Sequence, residues 1–296
     1  GKMNKILRNS QGQIDQEHLA PVVAQAEAGE VTVLTDSWSI QTIFQNAKKL
    51  FGIQKPENPP RSVFRIGGWA FQGKLHAPHA LVADIGAWPG NMGPDVDGGI
   101  TLIRIDNPEI QEFIQQKFEE TGLLDFQGLV QFGVDFATET GAPEVSGVLA
   151  GWPTLQTHAF LSELDHFHLI LEGSHVPQLP KKFVTCIPVS QPPWPNHQAK
   201  LRKRKDEVSG LTPQQMGRVF WHDVVMDDAN RKITTGGTDG FIGVARGAGN
   251  TSELARRKAI EIALRINVPE KQFRPDCGTS VQGVLADLED LFGMSV

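Results

Sequence analysis

The segment from Gly240 to Arg265 constrains the fold most. An apolar run, Gly240 to Ala245, gives way to Gly247-Ala248-Gly249, then to Asn250 or Thr251 as a helix cap, then to a helix over Ser252–Arg265. Leu254, Ala255, Lys258, Ala259, Ile262 and Ile266 put the mainly apolar positions of that helix on one side. A strand that turns so tightly into an amphipathic helix buries the stripe by laying the helix back on a sheet, so the class is α/β (α+β).

Upstream, the pattern predicts a helix over Gln13–Ala28, a strand over Val31–Leu34 and a helix over Thr42–Phe51. The stretch Lys55-Pro56-Glu57-Asn58-Pro59-Pro60 then reads as a linker, because three prolines forbid regular structure. Strands follow at Val63–Ile66, Trp69–Phe71, Ala80–Ala83 and Ile100–Ile105, with Gly86 to Gly99 as a glycine-rich connection. A helix is expected over Pro108–Thr121, closed by Gly122, with Ile110, Phe113, Ile114 and Phe118 on its apolar face. Strands at Gly128–Phe136 and Glu144–Leu149, a helix at Thr157–Leu171, and strands at Phe183–Val189, Arg218–Val225 and Gly240–Ala245 complete the reading. Breaks near residues 60 and 180 divide it into three parts: 3–60, 61–180 and 181–296.

A net charge of -6 argues against a nucleic acid as partner. The basic run Lys200 to Lys205 is followed at once by Asp206 and Glu207, the pattern of a solvated loop. No apolar stretch approaches the ~20 residues that span a bilayer. The start lacks a signal-peptide core, and Gly1-Lys2 ahead of Met3 reads as an appended pair. Cys186 and Cys277 carry neither a disulfide framework nor zinc-ligand spacing, which fits a cytoplasmic setting. Cys186 reads as core and Cys277 as the more exposed. There is no tyrosine, so no phenol is available as a general acid.

From Gly240 to Gly278 the chain resembles the last domain of phosphoribosylamine-glycine ligases. There a strand, G-x-G-[DN]-T-x-x-E-A, a helix and K-x-[YF]-R-x-D-I-G match this sequence through Lys271-Gln272-Phe273-Arg274-Pro275-Asp276-Cys277-Gly278. Val219-Phe220-Trp221-His222-Asp223 with Thr234-Thr235-Gly236-Gly237 is similar to that domain's V-F-H-A-G…T-x-G-G hairpin. The family loop D-x-G-P-N-T-G-G-M-G is matched at Asp84, Gly86, Gly90, Met92 and Gly93. The resemblance covers roughly residues 62 to 278 in the family's order. It implies an ATP-grasp-like core over 61–180, a carboxyl-terminal glycinamide-ribonucleotide-synthetase-type domain over 181–296, a link to purine biosynthesis, and a small α/β segment over 3–60 as a reduced lid.

The chemistry of that family needs metal ions to neutralise the polyphosphate and a cation to orient it. The family holds its metal with E-x-N-x-R, and here those positions are Gly147, Leu149 and Gly151. None offers a side-chain oxygen to a hard cation. Losing the metal should cost at least about 10³ in rate. The family's acidic ATP-contacting segment falls at Ser62 to Gly68, without a carboxylate, and Leu34 or Thr35 stands where its lid lysine should be.

The expectation is therefore a pseudoenzyme that needs neither ATP nor Mg²⁺ and acts as a binding or partner protein, as a monomer or a homo-oligomer. The alternatives are an active ATP- and Mg²⁺-dependent carboxylate-amine ligase, with relocated metal ligands or a complementing subunit, and a structural assembly protein. The candidate ligand site joins Asp84, Gly86, Gly90, Met92 and Gly93 to Arg274 and Asp276. Backbone amides of a glycine loop and a guanidinium suit a phosphate- or carboxylate-bearing molecule, while Arg274 has an alternative role as structural partner of Asp276. Weaker metal candidates are Asp95 and Asp97, read as a turn, and Asp135. A further group, His158, Glu163, Asp165, His166 and His168, is metal-like by composition, although His166 and His168 point apart on a helix.

Overall fold

The computed structural model describes residues 32–34, 62–136, 143–151, 163, 178–195, 205–227, 232–237, 239–293 and 295. Its strands are β1 (Thr32–Leu34), β2 (Ser62–Phe71), β3 (Lys74–Trp88), β4 (Met92–Arg104), β5 (Gly128–Phe136), β6 (Pro143–Gly151), β7 (Phe183–Ser190), β8 (Glu207–Val208), β9 (Val219–Trp221), β10 (Val224–Asp227), β11 (Lys232–Thr235) and β12 (Phe241–Gly249). The helices are α1 (Pro108–Glu120), α2 (Pro213–Met216), α3 (Ser252–Arg265) and α4 (Val281–Phe292). The helices expected at Gln13–Ala28, Thr42–Phe51 and Thr157–Leu171 lie outside the described residues, as do the linker at residues 55–60 and the basic run at 200–204.

Nine strands form one sheet in the order β1-β6-β5-β2-β3-β4-β7-β12-β9, and β10-β11-β8 form a second. The β1–β6 pair is parallel, and every other pair in the large sheet is antiparallel. Ile100 pairs with Cys186 and Leu102 with Val184, so the sheet runs unbroken across residue 180, where a boundary was expected.

Alternation along the strands sorts side chains onto two faces. On one, Ile110, Ile114 and Phe118 of α1 and Val281 and Leu288 of α4 pack on Ile66, Val82, Ile103, Val130 and Phe132. On the other, Trp69, Leu81, Leu102, Leu129, Val184, Cys186 and Val244 form a second cluster. The stripe of α3 adds Ile262, Ala263 and Ile266 to a third, against Val189, Ile242 and Ala245.

Local signals explain the boundaries. Asn107 accepts the Glu109 amide at 3.0 Å ahead of α1, and Gly122 beyond its end takes φ +70. Thr251 accepts the Leu254 amide at 3.2 Å and starts α3. Thr251→Ala is expected to cost about 1 kcal/mol, read as a lower urea midpoint with an unchanged slope. An unmoved midpoint would mean that packing alone fixes this helix start. Gly247 serves contact between strand and helix, because a Cβ there would meet the Ala255 oxygen at 2.1 Å.

Three elements differ from the sequence reading. The strand expected over Arg218–Val225 breaks at His222 and Asp223, and its halves join different sheets. The connection expected at Gly86 to Gly99 is instead the far end of the β3–β4 hairpin, turned at Pro89–Asn91. Helix α4, for which the sequence reading gives no element, carries a 3–4 spacing of apolar residues (Val281, Val284, Leu285, Leu288, Phe292). Among the described residues no helix is long and apolar enough to cross a membrane.

Candidate functional site

The β3–β4 hairpin and the segment following α3 bring most of the expected site residues together. Asp84 is 4% exposed in β3; its Oδ2 accepts the Gly278 amide at 2.8 Å and its Oδ1 the Ser280 hydroxyl at 3.4 Å. Burial raises its pKa, with the Gly278 N–H and the Arg274 charge pulling the other way. Arg274, 3% exposed, donates from Nη1 to the Gly86 oxygen at 2.6 Å, and grips Asp276 through Nε at 3.2 Å and Nη2 at 3.0 Å. The Gly90 amide donates to the same Asp276 carboxylate at 2.7 Å. Burial pushes the Asp276 pKa up, yet the Arg274 hydrogen bonds, the Gly90 N–H and the Arg274 charge outweigh it and hold the carboxyl below its usual range.

This geometry is that of a fastening. Two nitrogens of the guanidinium bond Asp276 and a third the hairpin backbone, the contacts that the structural-partner role of Arg274 calls for. Gly98 makes room for it: a Cβ there would meet the Gly86 oxygen at 2.0 Å and the Arg274 Cδ at 2.8 Å. Met92 stands 64% exposed beyond the fastening, and Gly93 (φ +84) lies under the Trp88 indole. Beside it, Trp88, Lys271, Gln272, Phe273 and Pro275 line a shallow groove of about 430 Å³. Lys271 is turned away from ligand duty, since its Nζ donates to the carbonyls of Ala263, Leu264 and Ile266 at the end of α3.

The expected Asp-x-Asp turn is not a turn. Asp95 and Asp97 lie in β4, because the glycine-rich stretch zips into hairpin arms; Asp95 pairs with Gly86. Asp97 takes φ +49, with its carboxylate 3.9 Å from Arg65. Asp135 sits in β5 opposite Glu144, its side chain outside those described. Of the histidine-rich group only Glu163 is described, and it pairs with Arg246 at 3.3 Å. Among the described residues no three His, Cys, Asp or Glu side chains are placed to hold a metal ion.

Cys277 is buried, against expectation, because the 274–278 segment tucks under β4; Gly99 would meet its sulfur at 2.2 Å if it carried a Cβ. Its thiol lies 3.9 Å from the Cys186 carbonyl oxygen, and both cysteines are free. Burial pushes both thiols well above their ordinary pKa.

The positions that the sequence resemblance aligns with metal ligands fall along β6. Gly147 pairs with Gly133 and Leu149 with Gln131, and a Cβ at Gly147 would meet nothing within 4 Å. Strand alternation puts Gly147, Leu149 and Gly151 on one face, which there presents hydrogen and hydrocarbon. These residues do not fit a magnesium ion.

Two polar arrangements escaped the sequence reading. His79 and Gln131 flank Gly67 on neighbouring strands and meet across it, His79 Nε2 lying 3.2 Å from Gln131 Nε2. The missing side chain at Gly67 permits the contact, and nothing in linear spacing announces it. His222, in the link between β9 and β10, lies 3.6 Å from the Asp239 carboxylate.

No family model matches the chain, and no curated protein matches it. Among solved structures it is similar to phosphoribosylamine-glycine ligase from Thermotoga maritima, with a TM-score of 0.52, 17% identity, and 80% of this chain and 62% of that chain covered. The chain thus spans less than two thirds of that ligase. The urea carboxylase of Kluyveromyces lactis follows at a TM-score of 0.42 and 9% identity, covering 88% of this chain and 25% of that one. The biotin carboxylase domain of Hydrogenobacter thermophilus 2-oxoglutarate carboxylase has a TM-score of 0.42 and 9% identity, covering 80% and 53%. The fold is mixed α/β and ATP-grasp-like.

Proposed function

We infer, from an ATP-grasp-like fold in which hydrocarbon stands where that chemistry needs oxygen, that this protein is a non-catalytic relative of phosphoribosylamine-glycine ligase. It works as a binding protein for a phosphate- or carboxylate-bearing molecule or for a protein partner. The observation that carries the reading is β6, where Gly147, Leu149 and Gly151 share one face. A transferring phosphoryl group draws several kcal/mol from bound metal, and none of these three positions offers a side-chain oxygen to hold one. At the Arg274–Asp276 pair the guanidinium is buried against the hairpin. What faces solvent there is the groove beside Trp88 and Phe273.

Isothermal titration of the whole chain with ATP and with a non-hydrolysable analogue, each with and without Mg²⁺, tests the reading. No binding is expected up to about 1 mM, a ceiling of roughly -4 kcal/mol. Magnesium-dependent binding on the order of micromolar would overturn it and point to carboxylates relocated elsewhere on the sheet.

A further inference from the structure

The link carrying His222 lies against the turn that leads into β12, and the contacts between them are specific. Asp239 is held from two sides: its Oδ1 accepts the Phe241 amide at 2.8 Å, and its own amide donates to Asp223 Oδ2 at 3.4 Å. Its other oxygen faces His222 Nε2 at 3.6 Å. Asp223 anchors the start of the turn by accepting the Gly236 amide at 2.7 Å. The imidazole stands edge-on to Phe241 at 5.6 Å, Phe241 lies against Trp194 at 5.6 Å, and Trp194 against Trp88 at 6.1 Å. One aromatic row therefore joins this imidazole to the hairpin that borders the groove. The same turn walls a small cavity of about 20 Å³, lined by Asp206, Asp223, Thr235, Gly237, Gly240 and Glu270.

We propose that His222 and Asp239 form a proton-operated clasp: protonated, His222 pins the Asp239–Phe241 segment against the β9–β10 link, and deprotonated it releases that segment, a change felt along the row at Trp194. Among the described residues the charges acting on the imidazole are Asp239 and Asp223, both acidic. The Asp239 carboxylate at 3.6 Å, with the Asp223 charge adding to it, raises the His222 pKa against the opposing effect of burial. With the folded pKa above 6.5, the clasp contributes fully below pH 6.5 and is lost as pH rises through the raised value. The clasp does not depend on whether the protein is an enzyme.

NMR titration of the histidine ring signals tests it, with His222 assigned in the parent by triple-resonance methods and the assignment checked by the signal lost in His222→Gln. In the parent protein His222 should titrate above 6.5, with the Trp194 indole and the Asp239, Gly240 and Phe241 amide shifts following the same midpoint. In Asp239→Asn, which keeps an acceptor for the Phe241 amide, proton affinity should fall at least about threefold, roughly half a pH unit. A His222 midpoint at or below the ordinary value, one unchanged in Asp239→Asn, or Trp194 signals indifferent to it would overturn the clasp. The parent titration decides the matter even where a variant fails to fold.

Discussion

Arg274→Met should lower stability by about 3 kcal/mol, because it strands a carboxylate and a carbonyl that the guanidinium now satisfies. Methionine keeps much of the aliphatic volume beside Gly98 but leaves the Gly86 oxygen and the Asp276 carboxylate without their Arg274 donors. The hairpin tip should then loosen from the 274–280 segment. In urea titration the expectation is a midpoint lower by about 1 M or more, taking m at the upper end of its range for small proteins. A variant that unfolds together with the parent would remove Arg274 from this structural role and return its guanidinium to ligand binding. The same experiment thus decides between the two roles that the motif alone leaves open.

Acid should remove a contribution of similar size through His79. This side chain is 1% exposed; its Nδ1 donates to the Ala77 oxygen at 2.9 Å and its Nε2 accepts from Gln131 at 3.2 Å, so the fold holds it neutral. Burial lowers its pKa from 6.5 to about 4, against the partial support of the Ala77 hydrogen bond. Between those values the unfolded chain takes up a proton that the folded chain refuses, so stability falls as pH drops from 6.5 and levels off below about 4. At ~1.4 kcal/mol per pH unit the loss is about 3 kcal/mol. Asp84 works in the other direction, its raised pKa favouring the fold as it protonates. The measurement is therefore the difference in pH dependence between the parent and His79→Gln, by urea titration across pH 4 to 7. Equal slopes would show that His79 titrates normally and that water reaches it.

Short-range physics made much of the fold legible. Thr251 and the stripe from Leu254 to Ile266 define α3 in sequence as they do in space, and Asn107-Pro108 does the same for α1, because caps and helical periodicity act within one or two turns. The Gly86 to Gly99 hairpin was missed for the opposite reason. Its glycines carry no alternation of side chains, and pairing across the hairpin, not local preference, makes it extended. His222 and Asp223 interrupt a β-branched run, but only the two sheets show that the chain changes partners there.

The candidate site divides along the same line. The sequence by itself determined that Gly147, Leu149 and Gly151 offer no side-chain oxygen, whatever the fold does with them. It also selected Asp84, Gly90, Arg274 and Asp276 as a group, through motif resemblance. Only the tertiary structure decided what that group touches: a guanidinium is a donor to any acceptor, and β3 and the segment after α3 set the Gly86 carbonyl and Asp276 within 3.2 Å of it. The same holds for the His79–Gln131 contact and for His222 against Asp239. Their partners are separated by 52 and 17 positions in the chain, and a hydrogen bond or ion pair depends on distance in space, which strand register and turn geometry supply.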